Sequence, residues 1–176
     1  MAKFLQAVFS EKVIPCSILE CPQPLLGAST SFKNIPEVAL DWHLSGRGAV
    51  LATVVDTWGS APRRVGGQLV VSGKGEMQGS VSGGCVEAAV VHEAIETLET
   101  GKSKLLEYGV SDGDAFAVGL ACGGKIRVFL EPIGSILPVG LLKELVESRL
   151  ARRPVAFCVN INTGERTYFS YTNLPE

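Results

Sequence analysis

The sequence predicts an α/β domain: a mixed β-sheet covered by helices, in one unit. Three observations predict it. Ala49 to Thr57 is a valine-rich run, apolar on both faces until Asp56, and such a run belongs in the middle of a covered sheet. Short strand-like runs and longer helix-period runs follow one another along the chain. The turn signals between them are glycine-rich. A length of 176 residues suits one domain with a sizeable core. Apolar residues make up 46% and charged residues 19%, the balance of a globular chain rather than a disordered one.

Taken in order, residues 1–34 carry the weakest pattern and are expected to form an N-terminal extension or arm, with the domain proper over 35–176. Pro36 to Leu44 reads as a short helix, with Asn34 as its cap and glycines at 46 and 48 stopping it. The strand Ala49 to Thr57 runs into the loop Gly59 to Arg64. Gln68 to Ser72 and Glu76 to Val81 read as strands joined at Gly73-Lys74-Gly75. Val86 to Glu99 has a helical stripe at Ala88, Val91, Ile95 and Leu98, and Gly101 ends it. Lys104 to Tyr108 fits an edge strand, and Lys125 to Glu131 alternates as another. Val139 to Ala151 is an amphipathic helix. Pro154 to Asn160 and Arg166 to Tyr171 pair as a hairpin.

A net charge of −2 gives no basic stripe for nucleic acid, so no nucleic-acid partner is expected. The longest uncharged apolar run is far too short to span a bilayer, and the N-terminus makes a poor signal peptide. A cytoplasmic protein is the expectation. Five cysteines, spread out and without a CxxC pair, argue against a disulfide framework and against a zinc ribbon. Cys16 and Cys21 read as structural.

The chemistry concentrates at Gly79 to Glu87, GSVSGGCVE. Gly83 and Gly84 permit positive φ and leave the main chain bare. With Ser82 as cap and Gly83 to Cys85 as the first helical turn, the free amides would form an anion site and favour a thiolate at Cys85. The plain alternative is a tight turn with a buried thiol. The loop is neither a Walker loop nor a GxGxxG fingerprint. Arg63 and Arg64 sit at a strand's C-terminal edge, where paired guanidinium forks suit phosphate or carboxylate; a solvated basic turn is the other reading. Cys122 is a second glycine-flanked thiol, in Gly119-Leu120-Ala121-Cys122-Gly123-Gly124. His92 lies about 10 Å along the helix axis from Cys85, too far for one metal ion. His43, at a helix end, reads as solvated or capping.

Taken together, Gly59-Ser60-Ala61-Pro62-Arg63, the Gly79 to Glu87 loop, and the Cys122 motif with its strand to Glu131-Pro132 resemble the XdhC/CoxI family. The resemblance covers roughly residues 35–160. It implies an accessory factor for xanthine dehydrogenase and related molybdenum hydroxylases. Such a factor holds the molybdenum cofactor (a molybdenum-pyranopterin with a phosphate), supports its sulfuration and passes it to the apo-enzyme. The implied partners are an apo molybdenum hydroxylase and a cysteine desulfurase. A single domain with an apolar N-terminal extension adds the expectation of a homodimer. Longer members carry a second, Rossmann-like domain; this chain resembles the first domain alone.

The resulting expectation is a cofactor-binding chaperone, not an enzyme, whose three loops converge on one side. Cys85 would ligate molybdenum or carry sulfur, and Cys122 would be a second ligand or a resolving thiol. Arg63 and Arg64 would take the phosphate, and Glu87 would orient a group against the cofactor. Ser60, Ser80, Ser82, Gly83, Gly84, Gly123 and Gly124 complete the cofactor-binding set. The rivals are a thiol-dependent sulfurtransferase or redox enzyme using Cys85, and a non-catalytic interaction module.

Overall fold

The computed structural model describes residues 34–109, 123–161, 163 and 165–170. The elements run α1 (Ile35–Leu44), β1 (Val50–Trp58), β2 (Gln68–Val71), β3 (Met77–Gly79), α2 (Glu87–Thr100), β4 (Lys104–Tyr108), β5 (Lys125–Pro132), α3 (Val139–Leu150), β6 (Val155–Val159) and β7 (Arg166–Ser170). Five strands form one sheet in the order β3-β2-β1-β5-β4, and β6 and β7 form a separate hairpin.

The valine-rich run takes the central place expected of it. β1 has Val50, Ala52 and Val54 on one face and Leu51, with Ala49 just before the strand, towards the other, all buried. The first set joins Leu69, Val71, Ile126, Val128 and Leu130 beneath α2. The second set joins Val70, Val38, Ala39, Leu142 and Leu145 beneath α1 and α3. Helices therefore cover both faces of the sheet, the arrangement that a run apolar on both sides requires.

The named strand pairs are all antiparallel, so the expectation of a mixed sheet is corrected. The connections explain it. The loop of residues 59–67 joins β1 to β2 and the turn of residues 72–76 joins β2 to β3, both too short for the crossover that a parallel neighbour needs. α2 does make a long crossover, but it carries the chain from the β3 edge to β4 at the opposite edge, beside β5.

Two local readings also shift. α2 starts at Glu87 with Val86 as its N-cap residue, so Ser82 is not the cap and Gly83 to Cys85 are not its first turn. The buried stripe of α2 is Glu87, Val90, Ala94 and Thr97, with Val91, Ile95 and Leu98 at its margin and Ala88 exposed. Thr97 tolerates burial because its hydroxyl donates to the Glu93 carbonyl at 2.6 Å. The helix ends at Gly101 with φ 66°, as its sequence position suggested. The β6–β7 hairpin is tied to the sheet by an ion pair between Arg166 and the buried Glu131.

Residues 1–33, which include Cys16 and Cys21, lie outside the described residues, as do Cys122 and the rest of 110–122. Among the described residues, no helix is long and apolar enough to cross a membrane.

Candidate functional site

The site begins at a break in β1. Its pairing with β5 shifts by one residue between Val54 and Asp56, a bulge that turns the strand's end. Just beyond it the loop of residues 59–67 folds back: Val54 N–H donates to the Gly67 carbonyl at 2.9 Å, and Gly66 N–H to the Val54 carbonyl at 2.8 Å. This holds Ser60 to Arg64 at the sheet's end. Arg63 and Arg64 are exposed and make no ion pair among the described residues. Trp58, which carries no motif in the sequence, closes β1 just before the loop and is 71% exposed.

Two other segments press on this loop. A Cβ placed on Gly124 would stand 3.0 Å from Ala61 N, from the Ser60 carbonyl carbon and from the Trp58 oxygen, so a side chain there would push the main chain of that loop away. One placed on Gly83 would lie 3.6 Å from the Pro62 Cβ. The loop of residues 59–64 thus bridges the Gly79–Glu87 stretch and the Gly123–Gly124 stretch. Cys122 itself lies outside the described residues, while Gly123, the next in the chain, is exposed at this junction.

The Gly79–Glu87 stretch is organised by its last residue. Glu87 is 5% exposed. Its Oε1 accepts from the Ser80 hydroxyl at 2.7 Å and from the N–H groups of Val81, Ser82 and Gly83 at 3.2, 2.9 and 3.1 Å. Its Oε2 accepts from the Gly84 N–H at 2.8 Å and from the Ser82 hydroxyl. The Ser82 oxygen in turn accepts from the Val86 N–H at 3.0 Å. Gly83 and Gly84, at φ 79° and 116°, supply the left-handed backbone that turns these N–H groups inward. Burial alone would push the Glu87 carboxyl up. The hydroxyls of Ser82 and Ser80 and the surrounding amides outweigh it and hold the group at about 2.

The same bonds fix what each predicted residue can do. Ser80 and Ser82 are engaged with Glu87, and the amides of residues 81–84 are already facing an anion. Gly84 and Gly123 have open space where a side chain would be. Cys85 is a free, exposed thiol two residues before α2. His92 is exposed and sits 3.8 Å from Glu96. Among the described residues, no three His, Cys, Asp or Glu side chains gather as a metal site. The sequence signal that could have exposed Glu87's task is a carboxylate at the first helical position, three residues after the Ser-Gly-Gly turn.

Comparison with known proteins adds a family match and several relatives. The model of the XdhC and CoxI family matches residues 42–109. The stretch takes in the central strand, the arginine loop, the Cys85 loop and α2. An Escherichia coli protein named molybdenum cofactor insertion chaperone PaoD is 38% identical over 117 residues, which is 66% of this chain and 36% of that protein. A Bacillus subtilis protein whose name makes it a probable xanthine dehydrogenase component is 37% identical over 87 residues, 48% of this chain and 26% of that one. The chain thus spans about a third or less of these relatives' length. A crystal structure described as a xanthine dehydrogenase from Bacillus halodurans shares the fold, with a TM-score of 0.59 at 23% identity over 77% of this chain and 44% of that one.

Proposed function

We propose that this chain is the cofactor-holding part of a maturation factor for a molybdenum hydroxylase of the xanthine dehydrogenase type. The observation that carries the reading is the meeting of the arginine loop with the Cys85 loop and the Gly123–Gly124 turn. It puts an exposed thiol, bare main chain and two exposed guanidinium groups at one end of the sheet. The names of the matched relatives, an insertion chaperone and a xanthine dehydrogenase component, support the same cargo.

The donor set fits that cargo. A soft sulfur suits molybdenum, and paired arginine forks suit a phosphate. Main chain without side chains lets a flat ring system approach closely. Cys85 would face the metal end, Arg63 and Arg64 the phosphate end, and Cys122 would be the second thiol. Ser60 and Gly123 would line the floor between them, with Gly124 buried beneath, letting the loop of residues 59–64 close on that turn. The bound group would bring the redox-active metal that the hydroxylase needs; this chain's residues hold it, orient it and release it.

The test is native mass spectrometry of the protein purified from a molybdenum-replete host. The reading expects a mass increment equal to one molybdopterin species on the wild-type chain. Consistent absence of that increment, with the fold intact, would remove the reading.

A second reading is sulfur transfer through Cys85, favoured by the exposure of that thiol. The two differ in what they demand of it. A sulfur carrier needs a cysteine that titrates well below about 8.5, whereas a holder does not. The rate of Cys85 alkylation followed against pH separates them.

A further inference from the structure

We infer that Glu87 is a positioning residue: its carboxylate fills the amide nest of residues 81–84 and so sets the loop that presents Cys85 before any ligand arrives. The inference rests on the reading of this loop as one wall of a cofactor site. It replaces the expectation that Glu87 orients a group in contact with the cofactor.

Saturation is the first ground. Oε1 accepts from Ser80, Val81, Ser82 and Gly83, and Oε2 from Ser82 and Gly84. A carboxylate has about four lone-pair directions, so none is left for a ligand. Burial is the second, since a side chain 5% exposed has no face to offer. Direction is the third. These bonds run back to residues 80–84 of the loop before α2, not into the helix, so they fix the stretch that leads directly into Cys85 and that lays Gly83 beside Pro62.

There is a consequence for the ligand. Free amides in such a nest attract anions. Here the chain supplies the anion itself, so the phosphate of an incoming cofactor is left to Arg63 and Arg64. The cradle then has a metal end and a phosphate end that do not compete. It also needs little ordering on binding, which favours retention.

The experiment uses Glu87→Gln in the full chain. Glutamine keeps the shape but turns one acceptor into an NH2 group facing donors. Three quantities are read against wild type: deuterium exchange of the peptide spanning residues 80–86, the rate of Cys85 alkylation by iodoacetamide relative to Cys158, and molybdopterin retained per chain. The expected result is exchange at 80–86 faster by about tenfold or more, with β1 and β5 peptides unchanged. The Cys85 rate shifts severalfold, and pterin retention drops by about tenfold or more. Unchanged exchange at 80–86 overturns the inference. So does a loosened loop with wild-type Cys85 reactivity and wild-type retention.

Should Glu87→Gln fail to fold, Ser80→Ala and Ser82→Ala decide, since each removes one donor. Each is expected to speed exchange at 80–86 alone, and wild-type exchange in both overturns the inference. If wild type itself carries no pterin, the cofactor reading fails, while exchange and alkylation still decide the positioning role.

Discussion

Ser82 meets Glu87 twice. Its N–H donates to Oε1 at 2.9 Å and its hydroxyl donates to Oε2. A buried carboxylate held this way is a stability element as well as a local scaffold, and pH exposes it. Its folded value of about 2 lies below the ordinary 4.5, so the ionised form is favoured by folding. The stabilisation is complete above about pH 4.5 and is lost as pH falls towards 2. The shift corresponds to about 3 kcal/mol at neutral pH. Urea unfolding should therefore show wild type well above Glu87→Gln at pH 7, with less than about half of that gap left at pH 3.

Gly124 tests the meeting of the loops. Gly124→Ala puts a methyl group 3.0 Å from main-chain atoms of Trp58, Ser60 and Ala61, none of which can swing away. Overpacking of that kind costs about 1–3 kcal/mol. The control is Gly140→Ala in α3, where nothing lies within 4 Å of the added methyl. Helix preference alone makes that change neutral or stabilising by a few tenths of a kcal/mol, roughly up to 1. Thermal melts of the two variants should move in opposite directions, or the second should not move.

The arginines should behave as ligand residues without being stability residues. Both are exposed, so a double Arg63→Ala, Arg64→Ala variant should unfold within about 0.5 kcal/mol of wild type. Its pterin content should drop all the same. Retention by wild type should weaken with added salt, because exposed charges are screened. Equal retention in wild type and the double variant would remove the arginines from the site.

At the far end of β5, Arg166 lies against the buried Glu131. Burial pushes the Glu131 carboxyl up, and the nearby guanidinium only partly offsets that. Arg166→Met leaves that carboxyl buried and alone, at a cost of about 3–5 kcal/mol. Adding Glu131→Leu to it should restore much of the loss. A urea titration of the single and double variants checks this, and equal losses in both would contradict it.

Much of the fold could be read from local pattern. The position of β1 followed from valines on both its faces, and the edge strand Lys104–Tyr108 was placed residue for residue. The direction and neighbours of β4 and β5 could not be read this way, because they depend on which edge α2 carries the chain to, a long-range outcome. The stripe on α2 was misplaced because Thr97 counts as polar until its hydroxyl is seen to bond within the helix. At the site, the glycine loops were legible, while the exposure of Cys85 was not, since a buried thiol fitted the same pattern. The task of Glu87 was not, since a carboxylate beside a cysteine looks like a ligand group until its hydrogen bonds show it is fully used. Nor was the packing of Pro62 on Gly83, a contact between segments about twenty residues apart.

The central claim is that Cys85 holds the cofactor on this face. It is tested most directly by converting bound molybdopterin to its fluorescent oxidised form and comparing wild type with the Cys85→Ser and Cys122→Ser variants. Pterin near one equivalent in wild type, with a drop of about tenfold or more in Cys85→Ser and a clear drop in Cys122→Ser, is the predicted result. Wild-type pterin in both folded variants would contradict it.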